Sequence, residues 1–208
     1  MIKKDLLIKK MENGFACRYM MYLDVYDQLE NILKDADISK MEIAEFGGSY
    51  GAIRTMIQCP NFTVSNLPTH DVQDLINVSS NKYDMVILDQ ILEHVKDPYR
   101  AVKEMYRVLK PGGWFVNTCP FLIWVHPAPS DYWRFTKSAM RFLLEEIGGF
   151  VNITTKSWGN TDVITFEIKN KRWYTVAQLK EMKIWSERND PNFEHMVWSF
   201  AQKRMGDT

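Results

Sequence analysis

Met41–Gly51, MEIAEFGGSYG, decides the fold of this chain. It opens as a short apolar run, Ile43-Ala44, that ends on a carboxylate, Glu45, and then breaks into Gly47, Gly48 and Gly51. Beyond it, Ala52–Ile57 has the composition of a helix. An apolar strand that runs into a glycine cluster and then a helix is a strand–turn–helix unit. Glycine belongs there because a tight turn takes positive φ, or because a ligand must approach the backbone with no Cβ in the way. The helix N-terminus offers free N–H groups to an anionic part of that ligand. Alone, the pattern does not separate a ligand cradle from an ordinary tight turn.

Working outward, Met1–Cys17 is polar and weakly patterned, which predicts a loosely docked arm. Tyr19–Lys34 carries Tyr22, Val25, Tyr26, Leu29, Ile32 and Leu33 at helical spacing. Residues 1–40 are therefore expected to be an arm and helix preceding the main domain, 41–208. Downstream, Phe62–Asn66 predicts a second strand, and His70-Asp71-Val72 a third, with too few residues between them for a helix. Met85–Leu88 is wholly apolar, as befits a parallel strand buried on both faces, and ends on Asp89 and Gln90. Asp97-Pro98 opens a helix with a capping side chain and a proline at its first position. Val102, Met105, Tyr106 and Leu109 form its buried face, and Lys110-Pro111-Gly112-Gly113 stops it. Trp114–Thr118 is the next strand, and Thr136 caps a helix that closes at Gly148-Gly149. Phe150–Ser157 and His195–Lys203 are the last two strands.

Strands alternating with helices predict an α/β domain with a mostly parallel, doubly wound sheet. Ligands of such sheets sit at the carboxyl edge of the strands, where Glu45, Asn66, Asp89 and Gln90 all lie.

Composition narrows the function. Lys plus Arg (26) equals Asp plus Glu (26) over 208 residues, so no global field draws the chain to nucleic acid or to an anionic membrane. The three cysteines, Cys17, Cys59 and Cys119, show no C-x-x-C spacing, so neither a disulfide framework nor a zinc site is suggested by spacing. No signal-peptide pattern and no membrane-spanning apolar run are present, which leads us to expect a soluble, cytoplasmic protein with no membrane partner.

Tyr83–Pro120, YDMVILDQILEHVKDPYRAVKEMYRVLKPGGWFVNTCP, makes the likeness specific. It resembles the class I S-adenosylmethionine-dependent methyltransferases of the type-11 kind, which share a Y-D strand, an L-E-H-V segment, a D-P helix start and an R-V-L-K-P-G-G stop. Glu45–Gly51, EFGGSYG, stands where that family carries E/D-x-G-x-G-x-G. The resemblance implies a single Rossmann-like domain with a seven-stranded sheet, its last strand antiparallel and its connection abbreviated between strands 2 and 3. It implies S-adenosyl-L-methionine as cofactor. On that likeness Glu45 holds the cofactor's amino group while Gly47, Gly48, Ser49 and Gly51 pass its methionine part. Asn66-Leu67 lie by the ribose, Asp71-Val72 by the adenine, and Asp89, Gln90 and His94 flank the sulfonium. Ser49 and Asn66 depart from the family, which has glycine and an acid there. Asn cannot accept both ribose hydroxyl protons as a carboxylate does. A catalytically silent methyltransferase fold acting as a binding partner is therefore the alternative function.

His126–Thr136, HPAPSDYWRFT, resembles a segment of a subset of these enzymes and follows a carboxyl-edge strand end. Residues 120–135 are thus expected to form a lid, with His126, Asp131, Tyr132 and Arg134 as candidate catalytic groups. His126 fits a general base because its reference pKa lies near neutrality. Were the acceptor a carboxylate, Arg134 would anchor it. The sequence assigns no metal ligand. Residues 159–193 lengthen a connection before the last strand, and Trp173, Tyr174 and Trp185 there fit an acceptor cover or a homodimer contact. The expected activity is O- or N-methylation of a small polar molecule such as a sugar-derived metabolite. The glycine spacing does not fit a nicotinamide dehydrogenase, and no N-P-P-[FYW] signature points to nucleic-acid methylation.

Overall fold

The computed structural model describes residues 2–12, 14–47, 50–65 and 71–207. Strands β1 (Ile43–Phe46), β2 (Phe62–Ser65), β3 (Tyr83–Asp89), β4 (Leu109–Pro120), β5 (Val151–Trp158) and β6 (Met196–Gln202) form one sheet, ordered β2-β1-β3-β4-β6-β5. The first four are mutually parallel, and β6 runs antiparallel between β4 and β5. Helices α1 (Lys4–Met11), α2 (Ala16–Leu33), α3 (Ala52–Met56), α4 (Pro98–Val108), α5 (Lys137–Phe142), α6 (Thr161–Asn170) and α7 (Val176–Glu181) complete it. Alternate strand residues feed two cores. Ile43, Met85 and Ile87 pack with α1, α2 and α3, whereas Ala44, Val86 and Leu88 pack with α4 and α5. This two-residue alternation, with both faces covered, is what a wholly apolar parallel strand requires.

The described residues give six strands rather than seven. His70 lies outside them, and Asp71 makes only an isolated bridge with Asp74, within a turn. The Asp71 carboxylate accepts from the Gln73 backbone N–H (2.9 Å), a local bond that favours a turn over a ladder. The chain from here to β3 is tied to α4 instead. Arg107 donates to the carbonyls of Leu75 (2.9 Å) and Val78 (2.8 Å), and Glu104 accepts from Leu75 N–H (2.8 Å). Strand β2 is consequently a sheet edge, with Val64 exposed.

Two other expectations change. Residues 4–11 are a docked helix, not a loose arm: Leu7 and Met11, one turn apart, are buried in the core, and Ile2 bridges Ile57. Lys110–Gly113 is not a stop followed by a separate strand. Strand β4 begins at Leu109, opposite Tyr83, and these residues bulge out before Trp114 pairs with Met85. Gly112 there has φ +78°, the left-handed region that glycine enters without strain.

Helix α2 matters most for the site, because polar bonds pin it across the sheet. Asp24 accepts from Lys156 Nζ (2.6 Å) on β5 and from Trp198 Nε1 (2.8 Å) on β6. No helix among the described residues is long and apolar enough to cross a membrane.

Leu7→Ala should cost about 2–5 kcal/mol of unfolding free energy, the usual range for truncating a buried leucine. Denaturant titration measures it, and a loss below about 0.5 kcal/mol, typical of surface positions, would mean that α1 is not part of the folded core.

Candidate active site

A cavity of about 550 Å³ opens at the carboxyl edge of β1 and β3. That is within the usual size of small-molecule sites, roughly 300–1,000 Å³. Five parts of the chain wall it: Arg18 of α2, Gly47 and Tyr50 after β1, Asp71–Gln73, the run Asp89–Val95, and His126, Ala128 and Pro129 opposite.

Asp89 organises its floor. It is buried and accepts from Tyr22 Oη (2.7 and 2.9 Å) and from Thr118 Oγ1 (2.6 Å). Burial raises its pKa above the ordinary carboxylate value against the pull of those bonds. Gln90 then turns the chain with φ +60°, a strained setting for a non-glycine residue. Its backbone N–H donates to Thr118 O (3.0 Å) and its Nε2 to Thr118 Oγ1 (3.0 Å), leaving Oε1 without a partner.

Glu45 ends β1 fully buried, and neither carboxylate oxygen has a hydrogen-bond partner. Its nearest cation, Arg54 Nη1, is 3.8 Å away. Burial, reinforced by Asp89, pushes its pKa up to about 7. An orphaned carboxylate in a protein interior is costly, so its natural complement is a cationic group on a ligand. Gly47 (φ +79°) has no room for a side chain, since a Cβ would come within 2.4 Å of Ile91 Cδ1. Gly51 (φ +63°) starts α3. Gly48, Ser49, Asn66 and Leu67 lie outside the described residues.

The lid folds onto the segment after β3. The backbone N–H groups of Tyr132 (2.7 Å) and Trp133 (3.2 Å) donate to Glu93 O, and Trp133 Nε1 donates to Val95 O (2.9 Å). His94 Nδ1 lies 2.6 Å from Ser130 O, which places its proton on Nδ1 and leaves the Nε2 lone pair free. Within the lid, Asp131 pairs with both Arg134 amino groups (2.5 and 2.6 Å) and accepts from the His126 backbone N–H (2.9 Å). Those partners overcome burial and hold its pKa at about 2. His126 Nδ1 is 3.2 Å from Asp131 Oδ2, and burial keeps the imidazole pKa below its ordinary value despite that carboxylate. Glu93 is fully buried, with both oxygens unpartnered and its pKa pushed by burial to about 8. Its carboxyl and the two imidazoles of His94 and His126 offer donor atoms within 4.8 Å of one another, a set able to hold an acceptor's polar groups or a cation.

The described candidates Gly47, Asp71, Val72, Asp89, Gln90, His94 and His126 thus line one cavity, with Glu45 beside it. Gly51, Asp131, Tyr132 and Arg134 do not line it. Tyr132 is half exposed, and Arg134 is saturated by Asp131 and the carbonyls of Trp133 and Trp124. Both face a separate shallow depression with Asp131, so Arg134 cannot also anchor an acceptor carboxylate. Arg18 and Glu93 were missed. Arg18 sits in a helix whose sequence shows only amphipathic spacing, and its Nε has no hydrogen-bond partner although its charge faces Asp89 and Glu93. Glu93 was in view as part of L-E-H-V, and only its burial marks it out.

Residues 33–117 match the family model described as a methyltransferase domain. Over those residues the chain is similar to that family, in line with the type-11 resemblance of its motifs. The match supports S-adenosyl-L-methionine-dependent methyl transfer. Solved structures share the fold. A SAM-dependent methyltransferase of Archaeoglobus fulgidus matches with TM-score 0.54 at 12% identity, covering 97% of this chain and 100% of its own. A Thermotoga maritima SAM-dependent methyltransferase, described as a possible histamine N-methyltransferase, matches at 0.53 and 14%, covering 89% and 98%. Phosphoethanolamine N-methyltransferase 2 of Haemonchus contortus, solved with S-adenosyl-L-methionine, matches at 0.51 and 15%, covering 86% and 52%. No curated protein sequence matches.

Glu45 gives the protein a pH signature. Its folded carboxyl keeps a proton up to about pH 7, whereas the unfolded one loses it near 4.5. Stability is therefore lost as pH rises between those values and is flat above them. Glu45→Gln, which carries no charge to desolvate, should stabilise the free protein by about 1–3 kcal/mol at pH 8 and by much less at pH 5. Denaturant unfolding at the two pH values reads this, and an equal effect at both would remove Glu45 as the titrating group.

Proposed function

We propose that this protein is an S-adenosyl-L-methionine-dependent methyltransferase that transfers the methyl group to an oxygen or nitrogen of a small polar acceptor, of the size and character of a sugar derivative. The observation that carries the proposal is the cavity itself. At about 550 Å³, with the docked lid on one side, it is of a size for a cofactor together with a small acceptor. The net charge of zero likewise provides no field for a polyanion.

The residues present fit the cofactor. Glu45 supplies the anion for its ammonium and Gly47 the close backbone approach, while Arg18 supplies a cation for its carboxylate. Asp71 and Val72 border the adenine, and Asp89 and Gln90 flank the reacting end. Bound there, S-adenosyl-L-methionine supplies a methyl carbon already activated by its sulfonium. The chain's own part is to align the acceptor, exclude water and take up a proton. For a hydroxyl acceptor the proton goes to His126, whose lowered pKa keeps it neutral and available at neutral pH. Asp131, fixed by Arg134, holds His126 in place. Where the acceptor is a carboxylate, no base is needed.

Label transfer from methyl-labelled cofactor to panels of amino sugars, sugar acids and other small polar metabolites tests the function. Label entering only RNA, DNA or protein would overturn the small-acceptor reading. Calorimetry separates the silent-fold alternative, since absence of binding at millimolar cofactor would leave no enzyme. In the same assay Glu45→Gln should weaken binding by about tenfold or more, the loss of a charge-assisted bond.

His126→Ala should lower kcat by about 10²–10⁴-fold and leave the cofactor dissociation constant unchanged. The parent's rate should fall as pH drops through the His126 pKa, a limb that the variant lacks. Parent-like rates and pH dependence in His126→Ala would make the lid a purely structural element.

A further inference from the structure

A second polar cluster lies away from the cavity, in the core between α2, α6 and the start of β6. Cys17, Glu167 and His195 come from three distant parts of the sequence, and all are fully buried. Their ligand-type atoms lie within 4.8 Å of one another, with His195 Nε2 3.5 Å from Glu167 Oε2. Glu167 is held in orientation, because its Oε1 accepts from the Tyr174 backbone N–H (3.2 Å). Its Oε2 has no hydrogen-bond partner, and neither ring nitrogen of His195 has one. Trp158 and Trp173 stack near the imidazole, with centroids at 6.4 and 6.5 Å, so the surroundings are aromatic and offer little else to bond.

Buried polar atoms without partners are rare in folded proteins, and each one points to something that satisfies it. Two such residues beside a buried thiol form a converging donor set of one sulfur, one nitrogen and one oxygen. Bonds of about 2.0–2.3 Å to a tetrahedral zinc-type ion place nitrogen and oxygen ligands roughly 3.4 Å apart, close to the His195–Glu167 separation. A thiolate and a carboxylate also balance the two charges of a divalent cation, so the filled site is neutral in a dry core.

We infer that Cys17, Glu167 and His195 bind a divalent cation of the zinc class, a structural site distinct from the methyl-transfer cavity. The fourth position is left to a water. The ion would fasten α2 and the Asn160–Phe193 segment to β6, and it does not depend on which acceptor the enzyme uses. The spacings 17, 167 and 195 contain no short ligand motif, so only the folded chain brings the three together.

The experiment uses the full-length protein, grown with added zinc or refolded from denaturant with Co²⁺ alone. Elemental analysis should find about one ion per chain in the parent and under about a tenth of that in Cys17→Ser/His195→Gln. Cobalt protein should show the near-ultraviolet thiolate-to-cobalt band with visible tetrahedral bands. Cys59→Ser should retain the band, and Cys17→Ser should lose it. Zinc should raise the parent's melting temperature and not the variant's. If the variants fail to fold, the parent's cobalt spectrum still decides. A parent that takes up neither ion by either route overturns the inference and leaves a shared water among neutral groups. A band that survives in folded Cys17→Ser overturns it as well.

Discussion

The carboxylate of Asp89 is the constraint on which the rest of this structure depends. It ends the most buried parallel strand, β3, and is bonded at once to Tyr22 on α2 and Thr118 on β4. Hydrogen bonds to a buried ionisable group are among the stronger ones in a protein, because losing a partner leaves the desolvated group exposed to its full cost. Three elements remote in sequence are thereby held at one point of the sheet edge. Tyr22 is one helical turn beyond Arg18, so the bond that secures α2 also sets where the Arg18 guanidinium enters the cavity. Thr118 is shared with Gln90, whose left-handed backbone persists because Thr118 over-determines it.

Much of this was legible in the sequence because the relevant signals are local. The strand, glycine turn and helix around Gly47 need only composition and periodicity. The Asp97 cap is formed as its residue type requires, with Asp97 accepting from Arg100 N–H at 3.0 Å. What was not legible depends on partners. Leu7 and Met11 offer too few apolar positions to announce a docked helix, and only the α3 surface makes them core. Among the described residues of the expected third strand, Asp71 instead accepts from the Gln73 N–H in a local turn. In the lid, H-P-A-P-S-D-Y-W-R-F marked a real polar network, yet which side of it faces the cavity is set by docking on Glu93 and Val95. His126 therefore lines the cavity while Tyr132 and Arg134 face outward.

Three buried glutamates carry a common cost. Burial raises the pKa of Glu45 to about 7 and those of Glu93 and Glu167 to about 8. Replacing such groups by apolar ones is often neutral or stabilising, so their presence is weak evidence for stability and stronger evidence for a ligand. Glu45 and Glu93 are next to the cavity or line it, where a bound cofactor and acceptor can supply the missing partners. Glu167 has no access to that cavity, and its partner has to lie within the core.

This separation gives the molecule a division of labour. The sheet edge provides Glu45, Gly47 and Asp89. The other wall is assembled from α2 and the lid, and both lean on the segment between β5 and β6. Trp173 of that segment stacks on Trp124 of the lid at 4.3 Å and on Phe15 at the start of α2 at 5.2 Å. Cys17 is the immediate neighbour of Arg18, and Ala16 N–H donates to Tyr174 O (2.7 Å). A cation at Cys17, Glu167 and His195 would consequently fix the base of the wall that presents Arg18 and His126. Rigid support matters there because a reacting group displaced by about 1 Å can cost about a hundredfold in rate. On the proposed function, acceptor choice would follow from the chemistry of that wall and methyl-donor recognition from the sheet.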